Sequence, residues 1–114
     1  MIAVIFEVWP NEGKRDEYLA LAAELRDALL KSDGFISIER FESLYDEGKL
    51  LSLQFWRDEE SVRAWRERLD HRRAQSLGRE EMFRDYRLRV AAVTRDYGMN
   101  QRDGAPADSR AAHG

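Results

Sequence analysis

Residues 2–9, IAVIFEVW, are apolar at every position but Glu7, and the run stops at Pro10. A strand covered on both faces reads this way, because alternation disappears when neither side meets water. After the breaker PNEGK the period changes. From about Arg15, Tyr18, Ala22, Leu25 and Leu29 recur at i, i+4, i+7 and i+11, the spacing of one helix face. Leu21 and Ala28 widen that stripe, and Glu24, Arg26, Asp27 and Lys31 fall on the far side. Gly34 in KSDG suits the stop, since glycine takes the left-handed conformation without a Cβ penalty.

FISIERFES (35–43) and KLLSLQFW (49–56) predict two strands joined by LYDEG. Asp46, Glu47 and Gly48 favour a turn, so the pair is expected as an antiparallel hairpin. Asp58 suits a helix N-cap, Glu59 and Glu60 complement the dipole of the first turn, and Val62, Trp65 and Leu69 form the apolar stripe. Between 71 and 84 the period is irregular, punctuated by Gly78, and YRLRVAAVTRDY (86–97) returns to strand character. GMNQRDGAPADSRAAHG has almost no large apolar residue, which predicts a flexible C-terminal tail over 98–114 behind one domain over 1–97.

This order is the ferredoxin-like βαββαβ arrangement, an α+β fold with a four-stranded antiparallel sheet and two helices on one face. Such a sheet leaves its other face wet, and its strands should alternate. They do so poorly. One parity of the first strand holds Ile2, Val4, Phe6 and Val8, the other Ala3, Ile5, Glu7 and Trp9. In the third strand Leu51, Leu53 and Phe55 oppose Leu50, Ser52, Gln54 and Trp56. The less apolar parities leave Ile5, Trp9, Leu50 and Trp56 on the bare face. A patch of that size marks an interface, so a homodimer through the exposed sheet face is expected.

Composition narrows the class. At 114 residues the chain builds a single modest core, and its formal net charge of −3 argues against a nucleic-acid partner. With no Cys there is no disulfide, thiolate metal site or cysteine nucleophile, which fits the reducing cytoplasm expected as its location. The apolar start lacks the basic residues and cleavage site of a signal peptide and is too short to span a bilayer, so no membrane role is expected. There is no glycine-rich phosphate loop and no Rossmann pattern, and one histidine outside the tail does not make a zinc site. No cofactor or metal is expected from these features.

In order, GFISIERFES, LLSLQFW, AWRERLDHRRAQSLGRE and YRLRVAAVTRDY resemble the antibiotic biosynthesis monooxygenase domain family over about residues 1–97. The resemblance implies a dimeric α+β barrel and an activity among cofactor-free oxygenases of aromatic polyketides, heme-degrading enzymes and quinol oxygenases; it bears on fold more than on reaction. Trp65 matches a Trp that the polyketide oxygenases carry on the second helix, and His71 stands where they have a Tyr six positions later. Ser61 stands where they have an Asn. The heme-degrading branch has an Asn on the first strand, where this chain has Glu7, and a ligand His farther from the Trp than His71 is.

Trp65 sits at a core position that also suits the wall of a pocket between sheet and helices, against a flat ligand. His71 has two geometries. On one straight helix from Glu59 to Leu77 it lies roughly 150° from the stripe and faces solvent beside Glu67 and Gln75. A break near Leu69 or Asp70 turns it inward; Leu77, Met82 and Phe83 do not continue the stripe, and the break is the geometry expected. An inward imidazole in an apolar pocket is mostly neutral near pH 7 and ready to accept a proton. Gln75 and Arg79 would line the mouth, Arg79 holding an anionic group, with Phe6, Phe55, Phe83 and Tyr86 completing the substrate-binding set. Each has a plain alternative: Arg79 as a solvated residue, Tyr86 as strand packing.

Three functions stay open. The expected one is a cofactor-independent monooxygenase acting on a small electron-rich aromatic (phenol, anthrone or quinol) with dioxygen, His71 being the base and Trp65 the wall. General base catalysis typically contributes about 10²–10⁴-fold. The second is a heme-binding or heme-degrading protein with His71 as iron ligand. The third is a non-enzymatic dimeric module that binds a small ligand and asks nothing of His71.

Overall fold

The computed structural model describes residues 1–73 and 82–114, and within these the side chains of 70–73 lie outside the description. In chain order come β1 (Ile2–Pro10), α1 (Arg15–Leu30), β2 (Phe35–Glu42), β3 (Leu50–Trp56), α2 (Glu59–Arg73), β4 (Phe83–Ala92) and a short α3 (Ala107–His113). The strand order is β2-β3-β1-β4 with every neighbour antiparallel, the ferredoxin-like sheet expected from the element pattern.

Local chemistry sets the element ends. Asp58 Oδ1 accepts the backbone N–H of Ser61 at 2.8 Å and so caps α2. In the β2–β3 loop the Ser43 hydroxyl accepts the N–H groups of Tyr45 (3.1 Å) and Asp46 (3.0 Å), and Ser43 N–H reaches the Lys49 carbonyl at 3.1 Å. β4 starts and ends earlier than the expected 86–97. Its pairing follows β1, with Tyr86 opposite Val8 and Ala92 opposite Ile2, and a register shift at Trp9/Pro10 admits Phe83. Beyond Ala92 the partner strand is exhausted; Val93 N–H makes one last bond to the Met1 carbonyl at 3.0 Å.

Residues directly opposite on antiparallel strands share a face, and a one-residue slip would exchange every face. Ile2 faces Trp56, Val4 Gln54, Phe6 Ser52 and Val8 Leu50. Leu50 and Trp56 therefore lie under the helices, not on the bare face as the sequence pattern suggested. Leu51, Leu53 and Phe55 take their place outside, beside Ala3, Ile5 and Glu7. The physical reason is size. Trp56 is fully buried, its ring 5.3 Å from Phe35 and 6.4 Å from Trp65, and tryptophan gains the most from removal from water.

After β4, in the stretch expected as a flexible tail, α3 folds back on Arg102. That guanidinium donates to the carbonyls of Gly114 (2.8 Å) and Gly98 (3.2 Å) and to Ser109 Oγ (2.8 Å), and stacks on Tyr97 at 5.1 Å. One arginine organises a segment that has little apolar surface to bury. Among the described residues no helix is long and apolar enough to cross a membrane.

Candidate functional site

Among the described residues, the buried side chains between sheet and helices fall into two groups. One holds Ile2, Val4, Leu29, Trp56, Val62 and Trp65; a second holds Val8, Tyr18, Leu50 and Met82, with Phe6, Leu21 and Phe83 packed against it. Here a polar seam lies between the two. Arg40 on β2 stands opposite Ser52 on β3, which stands opposite Phe6 on β1 and, through it, Leu88 on β4. The adjacent row runs Ile38, Gln54, Val4, Val90. Polar groups thus occupy the middle of a face that should be apolar throughout.

Two of these groups are fitted to their places. Ser52 is buried, and Gln54 Oε1 accepts the indole N–H of Trp56 at 2.8 Å. Arg40 is different: its Nε is buried and meets no hydrogen-bond acceptor. Leaving a buried donor unmet costs about 1–3 kcal/mol. The guanidinium lies over the Tyr18 ring, 5.9 Å from the centroid.

Aromatic residues flank the seam on both sides. On one, Phe6 lies 6.0 Å from Phe83 and 5.6 Å from Tyr86, and Phe83 lies 5.6 Å from Tyr18. On the other, the Trp56–Trp65 pair is buried. Three residues singled out from the sequence, Phe6, Phe83 and Tyr86, are thereby brought together, and Trp65 stands across the seam from them. At the β4 edge the helices no longer cover the sheet. Tyr86, Leu88 and Val90, all on the helix-facing parity, are 40%, 50% and 44% exposed.

Other sequence-predicted residues fall elsewhere. Phe55 pairs with Ala3 on the opposite face of the sheet and does not line this layer. Helix α2 is continuous from Glu59 to Arg73, so the break expected at Leu69 or Asp70 is absent. Leu69 still packs against the first cluster, and the Arg63 pairs with Glu60 and with Glu67 (3.2 Å) brace the outer surface; no mismatch forces a break there. The side chain of His71 lies outside the described residues, as do Gln75 and Arg79. The heme reading rests on that same side chain. Among the described residues no group of three or more His, Cys, Asp or Glu could hold a metal ion.

The sequence pattern puts Ser52 and Gln54 on the bare face and does not single out Arg40. Their signal was parity: Arg40 shares a strand face with Ile38, and Ser52 and Gln54 share one with Trp56. Only the strand register shows that this is the covered face.

Ser61, at the position where the polyketide oxygenases carry an Asn, is buried in a structural network. Its hydroxyl donates to Asp58 Oδ1 at 2.7 Å and accepts from Arg57 at 3.2 Å, while Arg57 also grips Asp58 (2.9 Å) and Asp33 (2.8 Å). The Ser61 hydroxyl first, then Arg57 and the Ser61 N–H, hold the Asp58 carboxyl down at about 2. A carboxylate depressed on folding stabilises above its unfolded value, about 4, and that contribution is lost as pH falls through about 2. Asp58→Asn is therefore expected to flatten the decline of the melting temperature between pH of about 4 and 2. Circular dichroism melts showing the same slope in both proteins would exclude this cap as an acid-sensitive element.

A groove of about 410 Å³ lies on the bare face, lined in part by Ile5, Glu7, Phe41, Lys49, Leu51 and Arg89. Its charges are already matched. Glu7 has one carboxylate oxygen on Lys49 and the other on Arg89, bonds that hold its carboxyl below the usual range. Lys49 covers the Trp9 ring at 4.9 Å, and the Trp9 indole donates to Asp46 at 2.9 Å. The unmet donor is in the seam.

Fold and seam together define the class: a ferredoxin-like α+β domain with an interior polar in the middle and aromatic at its sides. The family model for antibiotic biosynthesis monooxygenase matches residues 1–77, and the chain belongs to that family. It is 46% identical over 101 residues to "Jasmonate monooxygenase ABM" of Pyricularia oryzae, an alignment covering 89% of this chain and 47% of that protein. The chain thus spans about half the length of the curated relative it matches. Among solved structures it is similar to Rv0793 from Mycobacterium tuberculosis, with TM-score 0.70, 25% identity and coverage of 85% of this chain and 98% of that one. The heme-degrader MhuD from the same organism, with two hemes bound, gives TM-score 0.68 at 18% identity, covering 86% and 100%; this likeness is one of fold alone.

Proposed function

We propose that this chain is a monooxygenase domain whose organic substrate lies along the seam between the two aromatic groups. The observation that carries the reading is the seam between the two groups: polar Arg40, Ser52 and Gln54 in the middle of the helix-facing layer, with Phe6, Phe83 and Tyr86 to one side and Trp65 to the other. Such a site takes a flat or elongated, mostly apolar molecule and excludes water from it.

For an electron-rich phenol, anthrone or quinol the reaction needs no bound cofactor. Deprotonation makes the substrate the electron donor to dioxygen. In an anthrone a methylene becomes a carbonyl, one oxygen atom is retained and the other leaves as water. The jasmonate named for the 46% identical relative supports a second class, a small apolar carboxylate. Converting C–H to C–OH in such a molecule falls two electrons short and requires a reductant.

Oxygen uptake with quinols, anthrones, phenols and jasmonate, each with and without an added reductant, separates these classes. Uptake with one class, diminished in Phe6→Ala, supports the oxygenase reading; no uptake above the protein-free rate with any of them overturns it in favour of a non-enzymatic binding module. His71→Ala tests that residue directly: a fall of about 10² or more marks it as general base. A Soret shift with hemin that disappears in His71→Ala would favour the heme reading.

The working unit in this proposal is a two-fold homodimer closed over the bare face, where Ile5, Phe41, Leu51, Leu53 and Phe55 lie together. Leu53 stands between Ile5 and Glu39 at the centre of that face. Leu53→Glu, which would place unpaired charge in the interface, is expected to give a folded monomer by light scattering. A wild-type chain that is monomeric at high concentration would rule out the dimer.

A further inference from the structure

We propose that Arg40 is the anion-binding group of the seam, pairing with the carboxylate of an elongated apolar ligand whose body lies across Ser52 and Phe6 toward Leu88. This rests on the seam being the ligand site and goes further by assigning the ligand a charge and a direction. What marks this arginine is its buried Nε without an acceptor. Arg15 pairs with Glu42, Arg57 with Asp33 and Asp58, Arg63 with Glu60 and Glu67, and Arg89 with Glu7. Arg40 shows no such pair among the described residues, and its Nε is buried without an acceptor.

Among the described residues, the groups around it offer no anion. From α1 it meets the Tyr18 ring; across β3 stands Ser52; along its own strand, on the same parity, come Ile38 and Glu42, and Glu42 is held by Arg15. The guanidinium lies over the Tyr18 ring, 5.9 Å from its centroid, and its planar fork is suited to a carboxylate, which it engages through two parallel hydrogen bonds. The length of the site follows from the sheet. With strands about 4.8 Å apart, the row from Arg40 on β2 to Leu88 on β4 spans about 14 Å, which bounds the length of a ligand lying along it. The far end of the row is open, since Leu88 is half exposed.

The test compares an acid with its neutral ester. Jasmonate and methyl jasmonate are titrated by calorimetry into wild-type protein, Arg40→Met and Arg40→Lys. Wild type is expected to prefer the acid by at least about tenfold, the range of a charge-assisted hydrogen bond. Arg40→Met is expected to lose that preference by weakening acid binding while leaving ester binding unchanged, and Arg40→Lys to retain part of it. The melting temperature of Arg40→Met is expected to hold or rise, because a buried unmet donor is removed; a merely structural arginine would lower it. Equal binding of acid and ester by wild type, binding of neither, or an Arg40→Met that keeps its acid preference overturns the proposal. Failure of the oxygenase reading looks different: acid-selective binding with no oxygen uptake leaves Arg40 as the anchor and removes the reaction.

Discussion

Trp56→Ala is expected to lower the unfolding free energy by about 3–5 kcal/mol, the usual cost of deleting a buried aromatic side chain from a core that cannot close over the cavity. Trp56 has no exposed surface, and its ring meets Phe35 edge-on at 5.3 Å and Trp65 at 6.4 Å. These neighbours come from β2 and α2, so the cavity would open where three elements converge. Domains of this size are stable by only about 5–15 kcal/mol, and each kcal/mol is worth about 4–8 °C. A fall of roughly 15 °C or more in melting temperature is the expected result, with the denaturant m-value unchanged. Trp56→Phe should recover much of the loss but leave Gln54 Oε1 without its indole donor. A loss under about 1 kcal/mol for Trp56→Ala would mean that the first cluster does not hold the helices to the sheet.

Gly34→Ala is expected to cost about 2–4 kcal/mol, more than its single methyl suggests, because two effects coincide. Gly34 has φ of +81°, where a Cβ costs about 1–2 kcal/mol. That Cβ would also lie 2.1 Å from Ser61 Oγ and 2.6 Å from Ser61 Cβ. Ser61 has little freedom to retreat, since Asp58 and Arg57 hold its hydroxyl and Arg57 N–H bonds the Gly34 carbonyl at 2.7 Å. Gly48→Ala is the matched control. Its φ is +85°, and nothing lies within 4 Å of its built Cβ, so it reports the backbone cost alone. Chemical denaturation of the two variants isolates the packing contribution. Equal losses would show that the α1–β2 turn and the start of α2 are not packed as tightly as these distances require.

The same network shows how a local signal can be legible while its purpose is not. Asp58 could be read as a helix cap from its place before Glu59 and Glu60, and the structure uses it so. That Ser61 would be committed to the cap, buried against the α1–β2 turn, depended on Gly34 being carried to within a few ångströms of it from a distant part of the chain. The candidate site divides in the same way. Phe6, Phe83 and Tyr86 were visible as aromatic residues and do meet. Phe55 was equally plausible by composition, and register places it on the face opposite to Phe6. The expected break in α2 was inferred from Leu77, Met82 and Phe83, which do not continue the stripe; the helix nonetheless runs unbroken to Arg73.

What the sequence determined by itself was the set of elements and their order: a 3.6-residue period over two helices, short apolar runs for four strands, turn chemistry at 44–48, and hence a ferredoxin-like sheet. These are local properties, legible because periodicity and turn preference act within a few residues. What only the tertiary structure decided was which face of each strand is covered. Both parities of β3 are apolar enough to be buried, so neither propensity nor pattern could choose between Leu53 and Trp56. The choice falls to pairing with β1 and to the volume available beneath two helices. From that one choice follows the helix-facing position of Ser52, Gln54 and Arg40, and with it a guanidinium whose Nε is buried without an acceptor.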